Sequence, residues 1–225
     1  MSLVPSFVDG DAFSQPLGKV VCVGRNYAEH AKELDNPVPD APLLFIKPAT
    51  SVVPLEEPIG GPFERSDVHF ETELALLIGE TLREATPEQA EAAVVGVGLA
   101  LDLTLRDVQS ALKKKGHPWE IAKAFDGACP LSRFVPIEAP LDWSAIEFSL
   151  DMNGERRQHG VARDMLFAIP ALLSEMSQHF TLAPGDVVLT GTPAGVGKLE
   201  KGATLAFELT LPSGQRHALE TRVLG

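Results

Sequence analysis

Three carboxylates stand inside apolar runs that read as buried strands, and they constrain the chain more than any other feature. Glu71 and Glu73 lie one residue apart in Phe70-Glu-Thr-Glu-Leu-Ala-Leu-Leu-Ile78, and Asp102 interrupts the run from Val94 to Leu103. A carboxylate taken out of water must be paired or must coordinate a metal. Strand side chains alternate between faces, so Glu71 and Glu73 point the same way, with Phe70, Thr72, Leu74 and Leu76 on the other face. Two like charges so close repel unless a cation joins them. All-oxygen ligands suit a hard ion, with Mg²⁺ the first expectation and Mn²⁺ or Ca²⁺ also compatible, rather than Zn²⁺. Asp102 is the third ligand in this reading, from a neighbouring strand. The alternative is that the Glu-x-Glu pair forms the solvent face of an edge strand.

The surrounding pattern is β-rich. Short strands are expected over Lys19–Gly24, Leu43–Ile46, Phe70–Gly79, Val94–Leu103, Ile146–Met152, Val187–Thr190 and Thr204–Leu211. Asn153-Gly154 marks a hairpin between Ile146–Met152 and a return through Glu155–Gly160. Short helices are expected over Asn26–Leu34, with Asn26 as N-cap, over Thr86–Ala93, and from Thr104 to Lys115, with Thr104 and Asp107 as a capping box and Gly116 as the stop. A further helix is expected between Met165 and Phe180, starting near Pro170. Strand and helix do not alternate regularly, so the expected class is mixed α/β and β-rich, a sandwich-like roll with a few short helices rather than a doubly wound sheet. Residues 1–60 read as a small N-terminal region and 61–225 as the main β-roll, or the two as one continuous domain.

With 19 Lys and Arg against 31 Asp and Glu the net charge is −12. That balance argues against nucleic acid and against an anionic membrane surface. An anionic substrate therefore needs a local positive site. Cys22 and Cys129 lack metal-ligand spacing and read as reduced, structural thiols. With no leader-like start and no apolar run of about 20 residues, a cytoplasmic location is expected.

Several polar groups could complete a site. His30 and Glu33 share a helix face at i, i+3, where a carboxylate can orient an imidazole for proton transfer; an exposed polar face is the alternative. Lys123 sits in the apolar stretch Ile121-Ala-Lys-Ala-Phe125, either snorkelling or holding an anionic oxygen. Arg106 and Gln109 are i, i+3 neighbours just after Asp102, poised for a ligand there or simply solvated. Thr190-Gly-Thr-Pro-Ala-Gly-Val-Gly197 is a Gly-rich loop whose backbone N–H groups could hold a carboxylate, or a plain turn. It lacks the Gly-Lys-Ser/Thr ending of a phosphate loop.

The segments Val21-Cys-Val-Gly-Arg-Asn-Tyr-Ala-Glu-His30, Leu44-Phe-Ile-Lys-Pro48, His69-Phe-Glu-Thr-Glu-Leu74, Leu101-Asp-Leu-Thr-Leu-Arg-Asp-Val108, Trp119-Glu-Ile-Ala-Lys-Ala-Phe125 and Leu189-Thr-Gly-Thr-Pro-Ala-Gly-Val-Gly197 together resemble the fumarylacetoacetate hydrolase family. The likeness spans nearly the whole chain and points to the short, single-domain acylpyruvase or oxaloacetate-processing branch. It implies a mixed β-sandwich roll, usually a homodimer, binding Mg²⁺ or Mn²⁺ through Glu71, Glu73 and Asp102. It also implies catalytic roles for Lys123, His30 and Glu33, the last two on a mobile helix that could act as a lid, and substrate contacts at Arg25, Arg106, Gln109 and Thr192. Where the family often has His-His-Glu before the metal strand, this chain has His69-Phe70-Glu71, a change on the opposite strand face.

The activity this implies is hydrolysis of the C–C bond of an acylpyruvate such as fumarylpyruvate or acetylpyruvate, through a metal-stabilised pyruvate enolate. The same site chemistry fits an oxaloacetate tautomerase or decarboxylase, or a hydroxymuconate-type isomerase. A non-catalytic, metal-dependent dicarboxylate binder is the expectation from a different class. A structural Ca²⁺ protein is disfavoured, because the acids lie in strands and not in an acidic loop.

Overall fold

The computed structural model describes residues 3–137 and 140–225. Its centre is a strand, Thr72–Ile78, with every residue buried. On one side it pairs antiparallel with Val94–Leu101, and on the other with Val187–Leu189. Among the described residues the sheet around it runs Leu43–Lys47, Val20–Gly24, Val187–Leu189, Thr72–Ile78, Val94–Leu101, Cys129–Leu131, Val52–Pro54, with Val135–Pro136 also pairing to Val94–Leu101. Strands from before and after residue 60 are interleaved in it, and two of its pairings are parallel. A four-stranded antiparallel sheet, Glu155–Val161, Glu147–Met152, Thr204–Thr210 and Arg216–Arg222, packs beside it. Its hairpin turns at Asn153 and Gly154, both at positive φ (54° and 80°), as the sequence predicts for a two-residue turn that follows strand twist.

Both faces of the main sheet are covered, which explains why its strands read as continuous apolar runs rather than alternating ones. Leu74, Leu76 and Ile78 face the larger core, shared with Phe148, Phe207 and Leu172. Ala75 and Leu77 face a smaller cluster with Val20, Cys22, Leu189, Ala100 and Cys129. By strand parity Glu71 and Glu73 belong to that second face, and so does Asp102 through Ala100. The acids therefore extend the smaller core at one end of the sheet, and the edge-strand alternative is excluded. The two cysteines are free and lie beneath them. Burial, followed by the nearby acids, pushes both thiols upward, Cys129 to about 12, so neither is a nucleophile at neutral pH. No described helix is long and apolar enough to cross a membrane.

Two helix starts differ from the sequence expectation. The short helix is Ala28–Glu33 and Tyr27 is its N-cap, without a side-chain cap bond. Asn26 is spent elsewhere: its amide donates to the carbonyls of Thr190 (2.8 Å) and Phe167 (3.2 Å), and its Oδ1 accepts from the Phe167 N–H (2.7 Å). The next helix is Arg106–Lys115, not a run from Thr104. Thr104 pairs in a short strand and donates its hydroxyl to the Asp102 carbonyl at 3.0 Å, while Asp107 accepts from Ser66. Asn26 and Asp107 are claimed by long-range partners and the Thr104 hydroxyl by a carbonyl two residues back, so none serves as the expected cap. The Thr86 capping box forms with Gln89 and opens Pro87–Ala92, and the later helix is Ile169–His179.

Candidate active site

The backbone N–H of Asp102 donates to the Glu71 carbonyl at 2.8 Å, continuing the Thr72–Leu101 register by one step. That bond sets the third acid beside the other two. One oxygen from each of Glu71, Glu73 and Asp102 lies within 4.8 Å of the others, and all three side chains are buried. The cluster is a divalent-metal-binding triad.

Three cations surround it. Lys123, from the four-residue helix Glu120–Lys123, bridges Glu71 Oε2 (2.8 Å) and Asp102 Oδ2. Arg106 donates to Glu71 Oε1 and, through its other terminal nitrogen, to Gln109 Oε1 at 2.8 Å. Lys47 is wholly buried behind the triad, 2.7 Å from Asp102 Oδ1, and its ammonium protons go to the carbonyls of Lys123, Ala128 (3.0 Å) and Leu103 (3.4 Å). Asp102 Oδ1 is held by the Lys47 ammonium as an ion pair, and among the described residues Arg106 Nε is a buried donor without a partner. A buried donor left unpaired beside a carboxylate cluster is available to a ligand. Three buried carboxylates converging as an all-oxygen cluster fit a hard divalent ion.

The Gly-rich loop serves the acids through its backbone. The Gly191 N–H donates to Glu73 Oε2 at 2.7 Å. Gly191 and Gly195 both have positive φ (94° and 98°), and a Cβ at Gly195 would run into the Arg157 carbonyl, so the loop can follow this path only with glycine there. The Thr192 hydroxyl faces inward: it donates its one proton to the Thr72 carbonyl (2.9 Å) and accepts from Gln158 Nε2 (2.8 Å). It thus has no proton left for a substrate. Gln158 also accepts from the Thr72 N–H at 2.9 Å, clamping the loop to the strand that carries the glutamates.

The helix Ala28–Glu33 covers the cluster. His30 is buried, its Nδ1 is 3.4 Å from Glu33 Oε2, and Glu33 Oε1 accepts from the Gly195 N–H at 3.0 Å. The helix is thereby latched to the Gly-rich loop. With the latch closed, the space among His30, Arg25, Arg106, Gln109, Lys123, Glu71 and Glu73 is only about 40 Å³, enough for a few waters. Arg25 reaches this cavity from a left-handed backbone conformation (φ 61°), a rare state for a non-glycine residue and one that clusters at functional sites.

The charges divide the two glutamates. Burial pushes the Glu71 carboxyl up, but Lys123 and then Arg106 outweigh it and hold the group well below the usual range. Glu73 faces burial and then the charges of Asp102 and Glu71, and sits well above that range. The metal-free fold therefore keeps a proton on Glu73 that the unfolded chain has released above about pH 4.5. Stability from this group falls as pH rises through that window, because the native state then binds more protons. A metal replaces the proton. The gain in melting temperature on adding Mg²⁺ or Mn²⁺ is thus expected to grow from about pH 5 to about pH 8. A gain that is flat or shrinking across that range, measured by thermal melts, contradicts this assignment.

All ten residues singled out in the sequence converge on this site. Lys47 and Gln158 were not assigned a role there. Lys47 left a signal, a lysine closing the apolar strand Leu43–Lys47. Gln158 left none, since it lies in the polar run Glu155–His159.

A cluster of strand-borne carboxylates ringed by cations, under a latched helix on a β-rich fold, defines a class of metal-dependent site. The chain belongs to the fumarylacetoacetate hydrolase family: the family described as fumarylacetoacetate (FAA) hydrolase C-terminal matches residues 19–223. It is similar to the Escherichia coli protein named oxaloacetate tautomerase YcgM, with 52% identity over 216 residues, 96% of each chain. It is also similar to the human mitochondrial oxaloacetate tautomerase FAHD1, with 44% identity over 198 residues, 84% of this chain and 89% of that one. Among solved structures, fumarylpyruvate hydrolase from Pseudomonas aeruginosa, in complex with Mn²⁺ and pyruvate, superposes with a TM-score of 0.89 at 35% identity, covering 99% of this chain and 96% of that one. The family level is thus enzymatic, metal-dependent C–C cleavage or isomerisation of keto acids, at a site suited to a small anionic ligand.

Proposed function

We propose that this chain interconverts the enol and keto forms of oxaloacetate. The observation that carries the reading is a single imidazole, His30, buried beside Glu71 and Glu73 in a small pocket, where it can serve as the proton carrier. Enol–keto exchange moves a single proton between an oxygen and the adjacent carbon, and needs no second reactant. Hydrolysis must also position and activate an attacking water. The names and high identities of the E. coli and human relatives support the same choice.

Charge favours a dianion. The three acids are matched by Lys47, Lys123 and Arg106, so a divalent ion gives the pocket a positive excess despite the net charge of −12. Mg²⁺ or Mn²⁺, held by Glu71, Glu73 and Asp102, supplies the positive charge that stabilises an enolate. The orphan Arg106 Nε and the free amide of Gln109 orient the acid. His30, with Nδ1 turned toward Glu33, presents Nε2 as the nitrogen that takes the proton from one substrate atom and returns it to the other. Lys123 balances charge that develops on the enolate oxygen. Release of the Glu33–Gly195 latch admits the substrate, since about 40 Å³ does not hold a four-carbon acid.

A second reading, acylpyruvate hydrolysis, is favoured by the His30–Glu33 pair, which could activate water, and by the Pseudomonas hydrolase. Stopped-flow loss of enol absorbance, run beside pyruvate release from acetylpyruvate and fumarylpyruvate, separates them. Metal-loaded protein is expected to accelerate enol loss, and His30→Gln to slow it by about 10²–10⁴-fold. Pyruvate release without accelerated enol loss transfers the conclusion to hydrolysis.

A further inference from the structure

We propose that Arg25 and Lys113 form a subsite for the distal carboxylate of the substrate, selecting dicarboxylic keto acids over monocarboxylic ones. This rests on the keto-acid reading above and goes beyond it by assigning the groups that choose among such acids. Arg106, Gln109 and Lys113 recur at i, i+3 and i+7 on the helix Arg106–Lys115, so they line one face, and all three border the cavity. The first is committed to Glu71 and the second to Arg106. Lys113 lies about 10 Å further along the axis, and helical side chains lean back toward the N-terminus. That direction returns its ammonium over Gln109 to the mouth of the cavity.

Arg25 borders the same space, in its left-handed conformation. Among the described residues, neither Arg25 nor Lys113 makes an ion pair, whereas Lys47, Lys123 and Arg106 all face acids of the triad. Partial burial of the ammonium, followed by the charges of Arg25 and Arg106, lowers Lys113, and the opposing charge of Glu71 does not offset them. The Lys113 ammonium gives one proton to Asn36 Oδ1 at 2.8 Å and keeps two donors free. Asn36 follows the covering helix, and its N–H donates to the Ala31 carbonyl at 2.9 Å. A carboxylate received here would neutralise two like charges and would touch the segment that carries His30.

The test measures binding rather than turnover, by calorimetric titration of the Mn²⁺-loaded protein. Oxamate and N-oxalylglycine share a 2-oxo acid head, and only the second carries a distal carboxylate. The intact protein is expected to bind N-oxalylglycine more tightly. Lys113→Gln, an exposed position that leaves the core untouched, is expected to weaken N-oxalylglycine about tenfold, the size of one charge-assisted hydrogen bond, and oxamate less than about twofold. Arg25→Gln is expected to discriminate in the same sense. Equal weakening of both ligands means Lys113 is only a latch for Asn36, and overturns the subsite. No preference for N-oxalylglycine in the intact protein, with oxamate still bound, overturns the subsite and leaves the keto-acid site standing. Failure to bind either ligand removes both.

Discussion

Replacing Lys47 with methionine is expected to destabilise the metal-free protein by about 3–5 kcal/mol, the usual cost of stripping one partner from a buried charge network. For a chain of this size that lowers the melting temperature by roughly 10 °C. The side chain is fully buried, and its ammonium serves three carbonyls as well as Asp102. One of those carbonyls belongs to Lys123, so the same group fixes the backbone beneath the lysine that bridges Glu71 and Asp102. Methionine matches the stem in length and brings no donor. The loss is expected to shrink when metal is present, because a divalent ion then balances the acids. Thermal melts with chelator and with Mn²⁺ measure both values. A shift under about 2 °C with chelator means the ammonium contributes nothing to the fold.

The site was legible in the sequence to the extent that its residues break local rules. Glu71, Glu73, Asp102 and Lys123 stand out because charge in an apolar strand or beside apolar neighbours is costly, and such cost marks function. The hairpin at Asn153-Gly154 is legible because its turn requires positive φ that few residues accept. Groups that obey local rules are silent. Gln158 sits in a polar strand where a glutamine raises no question, yet it ties the Gly-rich loop, through two hydrogen bonds, to the strand of the glutamates, through a third. Asn26 and Thr104 look like helix caps, and spacing alone cannot reveal that Phe167, Thr190 and the Asp102 carbonyl compete for them. The interleaving of early and late strands in one sheet is equally silent, because parallel pairs such as Val20–Gly24 with Val187–Leu189 are set by the tertiary fold.

Asp102→Asn is expected to weaken metal binding by more than about 100-fold, above the range typical for outer-shell partners, and to return enol–keto exchange to its rate in buffer. The change keeps shape and removes one charge, at the acid where two buried lysines meet. With that charge gone, Lys47 and Lys123 are left facing the two glutamates alone, and a divalent ion would have to enter beside two ammonium groups with one fewer carboxylate to offset them. Elemental analysis after gel filtration reads the metal, and stopped-flow reads the exchange. Full metal content in the Asn variant removes Asp102 from the ligand set. Lys123→Met separates the ligand role from the catalytic one. It removes an ammonium that competes with the metal for Glu71 and Asp102, so the variant should hold metal at least as firmly while losing the charge that steadies the enolate. A Lys123 variant that loses metal and rate together, as Asp102→Asn does, makes the lysine part of the architecture of the triad and leaves the enolate to be stabilised by other groups.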